Sequence, residues 1–409
     1  MVFVINGFHR VVCVLESSVQ IHPAAREQNV RQLISMTDSL EDNMKRILLI
    51  FFILIFTYCE QNSKIQLKVI ELEGTPYNRG LVHGQSLKEE IKQVISQWTK
   101  ASEMMHDMKF DDIKNDFLEK TNYLDAIKKW TPELLDEIKG ISDGSGIDYE
   151  TIFLFQISEE LESYGRNLFM QKCTSIGVNK TDINPTYVAQ NMDPPTFLHG
   201  FPTLLHIKDN RSNLESYVFT FPGFIGLNGL NNESIAITAN GLPNLYDQIE
   251  GLPVSFIIRG VLDKTSFKDA VEFIHDIKHA KAQNYIIGGQ DESRCFECST
   301  REINQFIPFE NADITYHTNH YLVDACESKY CSRLKTLEDE IKRRSYKIGF
   351  QDIKQILSSR KRNAGRPISN VWTYGCTIMV LSESPELYIT PGRPDKTLPS
   401  RRQSRSHRC

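Results

Sequence analysis

Four short polar clusters hold the residue types that could do chemistry: CTS at residues 173–175, QNMD at 190–193, TANGLP at 238–243 and YHTNH at 316–320. Each abuts an apolar stretch, as expected of polar residues gathered at strand ends, where active sites collect. A thiol, a carboxylate and side-chain amides are the parts of an acyl-transfer site. The thiolate attacks a carbonyl, and amide N–H groups receive the negative charge that develops on its oxygen. Each cluster taken alone has a plainer reading. A cysteine before Thr-Ser is commonly a small buried residue. Asn-rich turns exploit the tolerance of Asn for left-handed backbone. Asp193 before Pro194 and Pro195 reads as a turn aspartate. His317 and His320 lie three residues apart, and with no acidic or third histidine partner at a convincing spacing a structural or oxyanion role is expected there rather than a metal.

The chain has nine cysteines in 409 residues, an odd number in a long chain, so a dense disulfide framework is not expected. Cys295 and Cys298 form a C-x2-C pair, and Cys326 and Cys331 a C-x4-C pair. Zinc is compatible with the spacing. RCFECST reads as a strand, however, and small buried cysteines, or a disulfide in an exported protein, are expected instead.

The elements that must position these clusters change character at Cys173. Before it, apolar residues recur at helical spacing through Leu87, Ile91, Val94, Ile95 and Trp98, and again through Leu134, Leu135, Ile138 and Ile141. After it, TYVAQNM, ESYVFTFPGF, ESIAITAN, AQNYIIGG, CTIMVL and ELYIT are short, β-branched or aromatic, and bounded by turn residues, as strands are. SFKDAVEFIHDIKHA and RLKTLEDEIKRR read as helices between them. Helices first and strands later imply an α+β or layered α/β domain, one domain over residues 65–394, with Cys173 at the join.

The ends differ from this domain. Residues 44–59 read MKRILLIFFILIFTYC, two cations followed by a short apolar run. That is the pattern of a secretory signal peptide, too short for a membrane span. Met44 is then the expected initiator, and residues 1–43 an over-extended or disordered N-terminus. Cys59 closes the run like the lipidated cysteine of a bacterial lipoprotein signal. The expected location is therefore exported, in the periplasm, membrane-anchored or secreted, with membrane contact only through the leader or a lipid. Residues 395–409 are basic and poor in apolar side chains, and a disordered tail is expected. The net charge of −5 gives no reason to expect a nucleic-acid partner.

In order, GTPYNRGLVHG (74–84), ELLDEIKGISDGSGIDYETI, KCTSIGV, AQNMD, GLNGLNNESIAITANGLP, NYIIGG, HTNHYL, CTIMVL and LYITPGRP resemble the isopenicillin N acyltransferase family, cysteine N-terminal-nucleophile (Ntn) hydrolases related to choloylglycine hydrolases and penicillin V acylases. The resemblance runs from about residue 70 to 394. It implies a four-layer αββα sandwich of the Ntn-hydrolase type, made as a precursor that cuts itself between Lys172 and Cys173. It further implies that Cys173 is the nucleophile with its own α-amine as base, that Asp193 positions that amine, and that Asn240 and Asn319 donate to the oxyanion. The chemistry is coherent. A model α-amine titrates near ~8 and can take a proton at neutrality, whereas an amide nitrogen cannot. Gln190 stands where choloylglycine hydrolases carry an arginine, as in the acyltransferase branch. That branch also uses a late arginine, for which Arg333 and Arg366 are both candidates.

The sequence therefore reads as a self-activated cysteine amidohydrolase or acyltransferase. It would act on linear amides or acyl donors through an acyl-thioester on Cys173, with a small-molecule substrate and no cofactor. Two other readings remain open at this point: a processed or inactive surface lipoprotein with a binding role, and a zinc-dependent hydrolase using HTNH and the cysteine pairs.

Overall fold

The computed structural model describes residues 65–164, 172–209, 212–242, 249–308, 313–323, 331–362, 365–397 and 399–403. The expected leader with Cys59, the N-terminus before it, Cys326 and residues 404–409 lie outside the described residues.

Strand β1 (Lys68–Glu73) leads into the helices α1 (Pro76–Ser86), α2 (Lys88–His106), α3 (Phe110–Lys120), α4 (Leu124–Trp130), α5 (Glu133–Ser145), α6 (Tyr149–Gln156) and α7 (Ser158–Tyr164). Local signals start several of them. Thr75 Oγ1 accepts the Asn78 N–H at 3.2 Å with Pro76 in the first turn of α1, and Asp148 Oδ1 accepts the Thr151 N–H at 2.9 Å ahead of α6.

Glycine decides how α1 and α5 meet. Gly80 and Gly84 on α1 face Gly140 and Gly144 on α5, backbone against backbone. A Cβ at Gly80 would stand 1.8 Å from the Glu137 carbonyl oxygen, and one at Gly140 would stand 2.2 Å from that of Tyr77. No larger residue fits this approach. Beside it, fully buried Glu137 takes Arg259 Nη1 at 2.6 Å and Nη2 at 3.0 Å, and Arg79 Nε at 3.4 Å. Burial alone would raise the Glu137 carboxyl, but the Arg259 and Arg79 charges hold it below its ordinary value. Removing one partner from such a triad costs about 3–5 kcal/mol, because a buried charge is left uncompensated.

From Cys173 onward strands dominate: β2 (Thr174–Val178), β3 (Thr186–Met192), β4 (Thr203–Lys208), β5 (Glu215–Thr220), β6 (Asn228–Asn231) and β7 (Ala236–Gly241). After α8 (Val254–Leu262) and α9 (Phe267–Asp276) come β8 (Gln283–Gly288), β9 (Ser293–Cys298), β10 (Ile303–Phe306) and β11 (Ile314–His317). Helices α10 (Ser332–Arg343) and α11 (Phe350–Leu357) precede β12 (Gly375–Leu381), β13 (Glu386–Pro391) and β14 (Ser400–Gln403).

The strands form an eight-stranded sheet ordered β1-β4-β5-β6-β7-β8-β9-β10 and a six-stranded sheet ordered β11-β2-β3-β12-β13-β14. Pairing is antiparallel except between β1 and β4. The sheets face each other through β2 and β3 against β7, β8 and β9. Alternation along β3 shows why. Tyr187 and Ala189 join Ile353, Ile356 and Leu357 of α11 in one core cluster, while Val188 and Met192 belong to the other. Helices α8 and α9 cover the outer face of the eight-stranded sheet, and α11 covers that of the six-stranded one. The layer order is αββα, the architecture expected.

One expectation fails. The segment from 395 does not leave the fold at once: Ser400–Gln403 pairs with β13, placing Ile389 opposite Ser400 and Glu386 opposite Gln403. Arg401 reaches Glu386. Low apolar content rules out side-chain burial but not backbone pairing, and charged residues suit an edge strand.

Candidate active site

Cys173 lies immediately before β2, where the helical half joins the sheets, and is 1% exposed. Pairing of β2 with β3 brings the stretch after it alongside the QNMD cluster, with Thr174 opposite Asn191 and Ser175 opposite Gln190. The Lys172 N–H donates to the Asp193 carbonyl at 3.3 Å, which closes the two segments together.

Arg333, near the start of α10, lies across this junction. Its Nη1 donates to the Lys172 carbonyl at 2.6 Å, to Thr174 Oγ1 at 2.9 Å, and to the Cys173 carbonyl. Its Nη2 donates to Asn319 Oδ1 at 2.9 Å. Both carbonyls flanking the Cys173 backbone thus share one guanidinium.

Asp193 is buried, and its Oδ2 accepts from Asn370 Nδ2 at 2.5 Å. Its Oδ1 has no hydrogen-bond partner among the described residues. Burial raises the Asp193 carboxyl to about 6; the Arg333 charge and the hydrogen bonds of Asn370 and Thr373 restrain the rise. The Cys173 thiol is pushed up to about 12, chiefly by burial. A backbone hydrogen bond from Asp193 and the Arg333 charge oppose the shift, and the Asp193 charge adds to it. Burial therefore favours the protonated thiol.

Asn240 sits in β7 with no exposed surface. Its Oδ1 accepts from Ser175 Oγ at 2.9 Å and from Gln190 Nε2 at 2.8 Å, and its Nδ2 lies 3.4 Å from Asn284 Oδ1. Gln190 extends the network to Asn228, whose Nδ2 donates to Gln190 Oε1 at 2.7 Å. Gln190, in β3, therefore bridges the two sheets through Asn240 of β7 and Asn228 of β6. Asn319 follows β11 and donates through Nδ2 to the Gly241 carbonyl at 3.0 Å, the residue after Asn240.

The loop carrying Asn319 is held by Glu297 of β9. Its Oε1 accepts from His317 Nε2 at 2.7 Å and the Leu322 N–H at 2.6 Å, and its Oε2 accepts the Val323 N–H at 3.1 Å. His317 is fully occupied here as a structural partner, and His320 lies 3.5 Å from Thr318 Oγ1. Among the described residues no group of three or more His, Cys, Asp and Glu side chains could hold a metal ion. Cys295, Cys298 and Cys331 are free, the first two buried in β9.

The structure thus brings Cys173, Lys172, Asp193 and Asn319 around Arg333 and Asn370, with Asn240 joined to the same region through Ser175 and Gly241. Of the two candidate arginines, Arg333 touches the junction directly. Asn370 and Glu297 had no signal in the sequence, since each acts through contacts made only on folding.

The sequence model of the acyl-coenzyme A:6-aminopenicillanic acid acyl-transferase family matches residues 179–364. That span includes Asp193, Asn240, Asn319 and Arg333, and begins beyond Cys173. The chain is 27% identical over 229 residues to protein dcd1A of Dictyostelium discoideum, covering 48% of this chain and 49% of that one. It is 27% identical over 259 residues to the 40 kDa form of acyl-coenzyme A:6-aminopenicillanic-acid-acyltransferase of Emericella nidulans, covering 62% and 70% respectively. The chain spans about half the length of the Dictyostelium relatives it matches. A solved mutant of the conjugated bile acid hydrolase from Clostridium perfringens aligns at 11% identity and a TM-score of 0.35, covering 57% of this chain and 97% of that one.

Proposed function

From the chain's kinship with the acyl-coenzyme A:6-aminopenicillanic acid acyl-transferase family, we propose that it is a cysteine amidohydrolase or acyltransferase that cuts itself between Lys172 and Cys173 and then works through Cys173. The observation that supports this most directly is the pairing of Arg333 on the Lys172 carbonyl with a buried, unpartnered Asp193 oxygen close by.

In the first step Cys173 Sγ attacks the Lys172 carbonyl carbon. The C–S bond forms, the C–N bond breaks, and the thiol proton ends on the freed nitrogen. Charge develops on the Lys172 oxygen, which Arg333 already holds. Water then cleaves the thioester, leaving a carboxylate on Lys172 and an α-amine on Cys173. The new ammonium supplies the partner that Asp193 Oδ1 lacks, and the pair orients the amine as a base for the thiol.

In turnover the α-amine takes the thiol proton and Sγ attacks a substrate carbonyl. The amine or thiol leaving group departs with that proton, and water or an acceptor amine resolves the thioester. Asn319 and Asn240 each retain a second N–H on Nδ2 for the developing oxyanion. The substrate is a linear amide or an acyl donor.

Mass spectrometry of the expressed chain beside Cys173→Ala tests this. Two fragments, the second beginning at Cys173 and absent from the variant, are expected, together with hydrolysis of simple acyl amides by the cut form alone. An intact wild-type chain without amidase activity would sink the proposal.

A further inference from the structure

Two cations beside the Lys172–Cys173 bond sit in a neighbourhood where positive charge predominates. Lys172 and Arg366 are both half-buried, and among the described residues neither side chain has a hydrogen-bonded carboxylate. Burial lowers Lys172 from its ordinary value, and the Arg366 and Arg333 charges lower it further, so the three cations share one neighbourhood. Burial likewise lowers Arg366, against the pull of Asp193. Partly desolvated charges of one sign are costly unless an opposite charge completes the cluster. Asp193, already bonded to Asn370, is the one carboxylate among the described residues whose charge acts on both cations, and the Cys331 thiol adds to it at Lys172 alone.

Geometry fixes where a ligand would meet Arg366. Its guanidinium carbon lies 3.6 Å from the centre of the Trp372 ring. Stacking occupies the face of the group and leaves its edge donors for a planar anion. The Arg366 backbone is anchored by Ser332, whose Oγ donates to the Arg366 carbonyl at 2.9 Å, one residue before Arg333. Further along the same loop Asn370 grips Asp193. Just past these anchors Val371 is 62% exposed and Trp372 36% exposed, an apolar surface beside Arg366.

Resting on the amidohydrolase or acyltransferase reading, we infer that residues 365–373 form a substrate subsite in which Arg366, stacked on Trp372, receives an anionic group carried by the substrate. The shared chemistry is a carboxylate or phosphate joined by a short chain to the reacting carbonyl, with apolar matter against Trp372 and Val371. The enzyme then prefers N-acyl amino acids or acylated phosphates over neutral amides.

The test separates this from the activity itself by using ketones that cannot be cleaved. Calorimetry on the full-length wild-type chain compares 4-oxononanoate, its neutral carboxamide and 3-oxooctyl phosphate. A charged hydrogen-bonded contact corresponds to about 10- to 100-fold in affinity. The carboxylate is expected to bind tighter than the carboxamide by that factor. Arg366→Gln should erase the difference and Arg366→Lys restore part of it. Tighter binding of the phosphate would assign the anion to a phosphate ester. Equal affinity for charged and neutral probes, no binding of any, or a preference that survives Arg366→Gln would overturn the subsite. Turnover of N-hexanoylglycine is measured in parallel. Charge-selective binding without turnover would count against the catalytic reading and leave the subsite standing.

Discussion

Arg333 donates to the Lys172 carbonyl oxygen at 2.6 Å through one guanidinium nitrogen, and to Asn319 Oδ1 at 2.9 Å through the other. The oxygen it touches is the one that gains charge if Cys173 attacks its neighbour. Loss of a single donor of this kind typically slows acyl chemistry by about 10²–10³-fold. Arg333→Gln is expected to slow self-cleavage by that order, followed as the appearance over time of a fragment beginning at Cys173. Arg333→Lys should recover part of the rate, since it keeps a charge but loses the fork that joins Lys172 to Asn319. Unchanged cleavage in a folded Arg333→Gln chain would remove this residue from the chemistry.

The contact between α1 and α5 leaves no room for a methyl group. At Gly80 an added Cβ would lie 1.8 Å from backbone, and at Gly140 2.2 Å, whereas at Gly241 the nearest atom is the Gln283 side-chain oxygen at 3.8 Å. Overpacking costs about 1–3 kcal/mol where side chains can yield, and backbone yields less. Gly80→Ala and Gly140→Ala are expected to lose about 3 kcal/mol or more in urea unfolding, while Gly241→Ala changes stability by less than about 1 kcal/mol. Similar midpoints for all three would mean the helices part without cost.

What the sequence made legible follows from the range of the interactions. TYVAQNM and CTIMVL announce strands through β-branched composition. That they lie side by side as β3 and β12, with Gln190 opposite Thr377, depends on closing a loop that spans nearly half of the chain and has no local sign. Cys173 and Asp193 stand out by residue type, yet Asn370, which grips Asp193, is 177 positions away in the chain. Asn240 shows the same limit at the scale of one side chain: its type marks a donor, but the direction of its amide is set by Ser175, Gln190 and Asn284. Residues 400–403 escape the sequence reading for a different reason, since hydropathy reports side-chain burial and β14 is held by its backbone.

Glu297 gives the Asn319 loop its shape through three acceptor contacts, with His317, Leu322 and Val323. It touches no reacting atom and acts as a positioning residue. Glu297→Gln keeps one acceptor oxygen and is expected to lower kcat while leaving KM for a small acyl amide nearly unchanged. Glu297→Ala should lower kcat further. Each lost hydrogen bond to a charged group is worth about 1.5–3 kcal/mol, roughly a 10- to 100-fold effect if it falls wholly on the transition state. A parallel loss of kcat and thermal stability, with no recovery in Glu297→Gln, would reduce the residue to a structural role.

His83 couples the helical half to acid. Its Nε2 accepts the Gly223 N–H at 3.0 Å, which requires an unprotonated nitrogen, and burial lowers its pKa from 6.5 to about 4. The unfolded chain therefore binds a proton at a higher pH than the folded one. The contribution of His83 is complete above about 6.5 and is lost as pH falls from there to about 4, a span worth on the order of 3 kcal/mol. Glu160, raised by burial to about 7, and Glu162, raised to about 8, act in the opposite sense, their contribution lost as pH rises through those values. The wild-type curve alone mixes these effects. His83→Gln retains an acceptor for Gly223 but does not titrate. The stability difference between wild type and variant should therefore favour wild type at pH 7 and shrink or reverse by pH 4. Two unfolding curves that stay parallel across that interval would show that the buried imidazole keeps its ordinary affinity for the proton.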